Sequence, residues 1–332
     1  MSFLKKISNF SKLIFINILI LFLILISLEL IVRLAVFVKF NKTSVGLTER
    51  TNYLSYQPFT MFGKDYYNFF ENVKRNIDYN EYNILLLGGS TAEGFNNKIL
   101  ENEITKVIKK NVNVFNAASS SFNSSQELIV LSKSLDINFN LIITLSGAND
   151  LLHSIIPSNK VGTFYLNETY SIILNKPYLS PFVYLLQNSQ LFKIIDRFTK
   201  VNQIKKSSQS YLDHANYLVG NISRSNKLSK VNSSNYIFIL QPYLGFKKNL
   251  SKYEKNFTLF EYRDETIKLL YNYVDEQLKK EHLKNNLNYL DGRFVFETEE
   301  TIFSDDVHFK DDNGYLILSK EIAKKLNQIF DN

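Results

Sequence analysis

A chain of 332 residues, 45% hydrophobic and 21% charged, has room for one good-sized domain with appendages and is not the composition of a disordered protein. Its 39 basic and 32 acidic residues leave a net charge of +7. The lysines are scattered among Asn, Ile, Tyr and Phe, with no basic stripe and no nucleic-acid motif, so nucleic acid is not an expected partner. The absence of cysteine excludes disulfides, thiol catalysis and cysteine-ligated metal centres.

Residues 1–12 form a basic N-terminal segment with Lys5, Lys6 and Lys12. The run that follows, LIFINILILFLILISLELIV over residues 13–32, supplies the ~20 apolar residues that cross a bilayer. It is apolar on all faces, and no small-residue cleavage site follows it; Glu29, Arg33 and Lys39 come instead. These features predict an uncleaved transmembrane anchor over 13–38, with the lipid bilayer as partner. Arg33, Lys39 and Lys42 flank the far side, yet the reading favours an inside N-terminus and an extracytoplasmic main domain, periplasmic or at the cell surface.

Residues 39–80 show no clean period and are read as a linker that becomes an aromatic packing segment. Residues 81–332 are expected to form the main domain. Strand-length apolar runs at 84–87, 112–115, 141–145, 236–240 and 287–290 alternate with helical patterns at 92–110, 124–135, 266–283 and 313–330. Alternation of this kind predicts a parallel sheet covered on both faces, with ligands bound beyond the carboxyl ends of its strands. An insertion at about 151–230 departs from the alternation; it holds an amphipathic helix at 181–199 and then a Ser-, Asn- and Lys-rich stretch. It is a candidate lid or substrate wall, with simple extra packing as the alternative.

The polar candidates follow the strand ends. In N-I-L-L-L-G-G-S-T, Ser90 comes after an apolar run and two glycines, Gly88 and Gly89, and before a helix, where backbone N–H groups favour developing negative charge. The plainer reading is a helix cap, because Ser90 and Glu93 have capping-box spacing. In S-D-D-V-H, Asp305 stands three residues before His308 and can turn back to one ring nitrogen, leaving the other to take a serine proton. Asp306 competes for that role, and a turn-capping aspartate is the plain alternative. In S-G-A-N-D, Asn149 follows Gly147 and can donate to an oxyanion, or can simply close a turn. No metal-ligand spacing is present among the histidines and carboxylates.

With these blocks the chain resembles the SGNH (GDSL-type) hydrolase superfamily, in the branch whose first block reads G-G-S-T. Gly88-Gly89-Ser90 match its nucleophile block, Gly147-Ala148-Asn149-Asp150 its third block, and Asp305 with His308 its last. Ser121, in N-A-A-S-S-S-F-N, stands where the second block keeps a glycine; the backbone N–H is retained and the glycine's freedom of backbone angle is not. The resemblance covers roughly residues 82–328. It implies an α/β fold, a flavodoxin-like three-layer α/β/α sandwich with a parallel sheet of about five strands (the SGNH hydrolase fold), appended here to one N-terminal transmembrane helix. It implies a carboxylic ester hydrolase with Ser90, Asp305 and His308 as catalytic residues and an oxyanion hole from Ser90, Ser121 and Asn149. No metal or organic cofactor is needed for that chemistry, and the expected substrate is an acylated small molecule, envelope lipid or glycan. The alternatives are an O-acyltransferase that modifies envelope polysaccharide, and a catalytically impaired relative that binds glycan or serves as a scaffold.

Overall fold

A computed structural model describes residues 2–40, 57–155, 160–164, 167–192, 195, 208–257 and 261–330. Residues 41–56 of the expected 39–80 linker and packing segment lie outside them. In chain order the helices are α1 (Ser2–Phe40), α2 (Tyr66–Asn76), α3 (Ser90–Glu93), α4 (Asn97–Ile108), α5 (Ser124–Lys133), α6 (Ala148–Ser154), α7 (Asn167–Asn175), α8 (Ser180–Asn188), α9 (Ser208–Ser229), α10 (Glu261–Asn285) and α11 (Asp312–Phe330). The strands are β1 (Tyr82–Gly88), β2 (Val112–Asn116), β3 (Leu141–Ser146), β4 (Asn235–Leu240) and β5 (Asn288–Asp291).

Two compact units result: Met1–Leu54 with Glu168–Gln203, and Ser55–Asn167 with Ile204–Asn332. The second is the α/β sandwich. Its five strands pair in the order β2-β1-β3-β4-β5, every pair parallel, which is the order of the flavodoxin-like doubly wound fold. Register runs Leu86 to Ile143 and Ile143 to Ile237 across the centre. The central strand β3 is buried along its length because helices cover both faces, which is why it reads LIITLS without alternation. On one face α4 and α11 pack together over Ile84, Leu86, Ile143, Ile237 and Ile239. On the other lie α5, α9 and α10, with α2 against α5.

Two helices in this unit carry stripes that the sequence reading passed over. Helix α2 buries Tyr66, Phe70 and Val73, and Asp65 caps it by accepting from Asn68 N. Helix α9, within the expected 151–230 insertion, buries Tyr211, Ala215, Leu218, Val219 and Ile222 at helical spacing and packs on α5, α6 and β4. The stretch that separates from the sandwich is therefore the shorter 168–203. The expected helix at 92–110 is divided: α3 stops at Gly94, and Asn96 caps α4 by accepting from Lys98 N. A side chain at residue 94 would stand 2.5 Å from Tyr315 Oη, so glycine is required where α3 meets α11.

In the first unit, α1 contains a stretch, Lys12–Ala35, long and apolar enough to cross a membrane, and none of its most apolar window is buried. Helix α8 ends at Asn188 and Ser189 is extended, after which Gln190–Phe192 and Ile195 are helical again, so the single amphipathic helix expected over 181–199 is interrupted at Ser189. Residues 196–200 lie outside those described.

Candidate active site

All of the polar candidates belong to the sandwich unit and sit beyond the carboxyl ends of β1, β2 and β3 or in the loop before α11. Ser90 is the first residue of α3. Gly89 is the helix cap and makes no side-chain cap bond, so the capping-box reading of Ser90 and Glu93 does not describe the structure. Instead the Ser90 hydroxyl lies 2.6 Å from His308 Nε2. The other ring nitrogen, Nδ1, lies 2.7 Å from Asp305 Oδ2. Asp305 Oδ1 accepts from the backbone N–H of Val307 (2.9 Å) and His308 (2.8 Å). Burial tends to raise the Asp305 pKa, but the bond from the His308 ring and those two N–H groups outweigh it and hold the carboxyl below its usual value. Between Asp305 and Asp306, it is the Asp305 carboxylate that meets the histidine; Asp306 accepts from Leu244 N through its backbone carbonyl.

The loop holding this pair is braced from both ends. Phe303 and Phe309 form an antiparallel bridge, and Ser304 N donates to His308 O at 2.9 Å. Phe296, Phe303, Phe309 and Tyr315 stack edge to face beneath it. Buried Lys247 donates to Glu254 Oε2 (2.6 Å) and to Glu300 O (2.5 Å), while Glu254 Oε1 accepts from Ile302 N and Phe303 N. Thr91, next to Ser90, donates to Val307 O at 3.0 Å and accepts from buried Gln241 Nε2 at 2.7 Å. The register of the serine against the histidine is thus fixed by neighbours on both sides.

The oxyanion candidates converge in the same place. Asn149 Nδ2 donates to Phe122 O at 2.8 Å, next to Ser121. It also stands over Gly89, where a Cβ would come within 2.6 Å of it. A side chain at residue 89 would displace the amide, which is the physical reason for the second glycine of the block. Gly88 has φ +148°, and a Cβ there would meet Leu145 O at 2.2 Å. Gly147, with φ +108°, caps α6 and makes Asn149 the second residue of that helix.

Ser121 adopts φ +59°, the left-handed conformation for which glycine is the ordinary choice. Holding a non-glycine residue there costs about 1–2 kcal/mol. Part of the restraint is visible: Glu93 Oε2 accepts from Ser120 N (2.9 Å) and from the Ser120 hydroxyl. Ser121→Gly is expected to leave the urea midpoint unchanged or raise it, and Ser121→Val to lower stability by ~1–2 kcal/mol, because a β-branched residue is poorly tolerated at positive φ. Urea unfolding of the purified variants checks the order.

Behind Asn149 lies a buried pair of carboxyls that sequence reading did not single out. Asp150 accepts from Ser124 N (3.0 Å) and Ser124 Oγ (2.7 Å) at the start of α5, and Ser146 Oγ donates to Glu127 at 2.5 Å. Burial pushes Asp150 up to about 6 despite those bonds, and burial with the Asp150 charge pushes Glu127 well above the carboxylate range. Both shifts disfavour the charged form of the pair. The pair ties the helix of Asn149 to the loop of Ser121, and only the adjacency of Asp150 to Asn149 hints at this in sequence. The described residues contain no group of three or more His, Asp or Glu arranged to hold a metal ion.

The fold and these contacts define a doubly wound α/β protein with a serine–histidine–aspartate relay at its strand ends. No protein-family model matches the sequence, and no curated protein matches it. Solved structures similar to it are GDSL-type lipolytic proteins and esterases. A GDSL-like lipase from Bacteroides thetaiotaomicron has 14% identity and a TM-score of 0.42, covering 79% of this chain and 98% of that one. A member of the lipolytic protein G-D-S-L family from Veillonella parvula has 14% identity and a TM-score of 0.40, covering 75% and 98%. An acetylxylan esterase from Geobacillus stearothermophilus has 10% identity and a TM-score of 0.44, covering 74% and 94%. The functional case rests on the geometry above.

Proposed function

We propose that the chain is a membrane-anchored serine esterase of the SGNH type, acting on ester-linked acyl groups of envelope lipid or glycan. The observation that carries this reading is the relay from Ser90 Oγ through His308 to Asp305, with both links at hydrogen-bond distance. In it, His308 Nε2 takes the Ser90 proton as Oγ attacks the acyl carbonyl carbon. Asp305 holds the ring by Nδ1 and favours its charged form as the proton arrives. The oxyanion is met by the backbone N–H groups of Ser90 and Ser121 and by the Asn149 amide, which has a second N–H besides the one given to Phe122 O. Collapse of the tetrahedral species breaks the ester C–O bond, and His308 returns the proton to the leaving alcohol. Water, deprotonated by His308, then attacks the acyl-Ser90 ester and releases the carboxylic acid.

The anchor in this proposal is α1, with its Lys12–Ala35 stretch in the bilayer and the sandwich unit on the extracytoplasmic side. Release of p-nitrophenol and free acid from p-nitrophenyl esters of increasing acyl length, by the detergent-solubilised full chain, tests the activity. Wild type is expected to turn over and Ser90→Ala to fall to background. Equal rates in the two would remove the reading, and acyl transfer to added sugars in place of acid release would replace esterase by O-acyltransferase.

A further inference from the structure

We infer that residues 167–192, comprising α7, α8 and the first residues of the helical stretch after Ser189, lie in the acyl–headgroup boundary of the bilayer that α1 spans; this rests on the anchor reading above. The first observation is a clip within the anchor unit. Glu29, on α1, accepts from Arg33 Nε (2.7 Å) and Gln190 N (2.9 Å) through Oε1, and from Ser189 Oγ (2.8 Å) and Leu191 N (2.9 Å) through Oε2. A carboxylate in an apolar span is costly unless its oxygens are met by donors, and here Ser189, Gln190 and Leu191, where the chain becomes helical again after α8, supply three of them. The clip also sets depth. Glu29 is six residues before Ala35, the end of the apolar stretch (35 − 29), or ~9 Å along a helix. Interfacial segments sit about 5–10 Å into that boundary.

The second observation is the surface of the clipped segment. Residues 177–192 contain no Asp, Glu, Lys or Arg in a chain that is 21% charged. Phe182 (67% exposed), Leu185 (65%) and Leu186 form one outward face of α8 at i, i+3 and i+4, and Leu174, Tyr178 and Phe192 in the same segment are exposed too. An uncharged apolar face of this kind is covered in the working protein. Its attachment to a membrane-spanning helix, at a level inside the apolar stretch, makes lipid the occupant rather than a second copy of the chain.

Because the chain has no tryptophan, single substitutions Phe22→Trp, Phe182→Trp and Leu185→Trp report their own surroundings in the full chain reconstituted into phosphatidylcholine–phosphatidylglycerol nanodiscs. Lipids brominated deep in the acyl chain are expected to quench the Phe22→Trp protein. Lipids brominated near the headgroup end are expected to quench Phe182→Trp and Leu185→Trp at least twofold. Quenching of Phe22→Trp without quenching of the other two overturns the inference while leaving the anchor intact. Blue-shifted but unquenched emission from Phe182→Trp and Leu185→Trp also overturns it, because protein and not lipid then covers the face. No quenching of Phe22→Trp sinks the anchor reading and the inference with it.

Discussion

Replacing Ser90, His308 or Asp305 is expected to reduce ester hydrolysis by orders of magnitude without a matching loss of fold. Ser90→Ala removes the attacking oxygen and should lower kcat at least ~1,000-fold, leaving only what the oxyanion donors and binding contribute. His308→Ala should cost a similar factor, and the double variant should be no worse than either single one, because the two side chains act as one unit joined at 2.6 Å. Asp305→Asn keeps the shape of the turn that accepts from Val307 N and His308 N, yet presents an amide to His308 Nδ1. It should cost up to ~10,000-fold in kcat with little change in KM, since a ring held in the wrong tautomer cannot accept the serine proton. Steady-state kinetics on a p-nitrophenyl ester, beside far-UV circular dichroism of each variant, reads both quantities. Additive losses in the double variant would show that the serine and histidine do not work together.

Lys247→Met is expected to be the most damaging substitution far from the reacting atoms. The Lys247–Glu254 pair is buried, with side chains only 1% and 0% exposed, so removing the cation leaves an uncompensated carboxylate in the interior. Breaking such a pair costs about 3–5 kcal/mol, a large share of a domain's stability. Adding Glu254→Gln to Lys247→Met should restore part of the loss, since the neutral amide still offers an oxygen to Ile302 N and Phe303 N. Hydrolysis should fall in the single variant even under conditions where it remains folded, because Glu254 braces the Ile302–Phe303 backbone that leads into Asp305 and His308. Urea unfolding and kcat for both variants test this. A single variant as stable as wild type would contradict the buried-pair account.

The sheet was legible in the sequence because parallel strands buried on both faces leave uninterrupted apolar runs: 84–87, 112–115, 141–145 and 236–240 lie within β1 to β4 to within two residues at each end. Helix α9 was not read, although Tyr211, Ala215, Leu218, Val219 and Ile222 carry the helical stripe, because the Ser and Asn residues between them resemble a loop. Ser90, Asp305 and His308 were legible as residue types at meaningful spacing. What spacing could not supply was the partner of each group across the fold. Glu93 was read as a capping-box partner of Ser90 and bonds instead to Ser120. Gln241 reaches Thr91, and Asn149 reaches Phe122, over contacts that no local pattern encodes. Ser121 is another such case: its left-handed backbone could not be read from the residue type.

The central claim is that Ser90 is a nucleophile activated by His308. Labelling the solubilised full chain with a fluorophosphonate probe, followed by peptide mass spectrometry, tests it most directly. The relay predicts an adduct on the peptide containing Ser90 in wild type, none in Ser90→Ala, and strongly slowed labelling in His308→Ala. An unlabelled wild type, or equal labelling of Ser90→Ala, would contradict it.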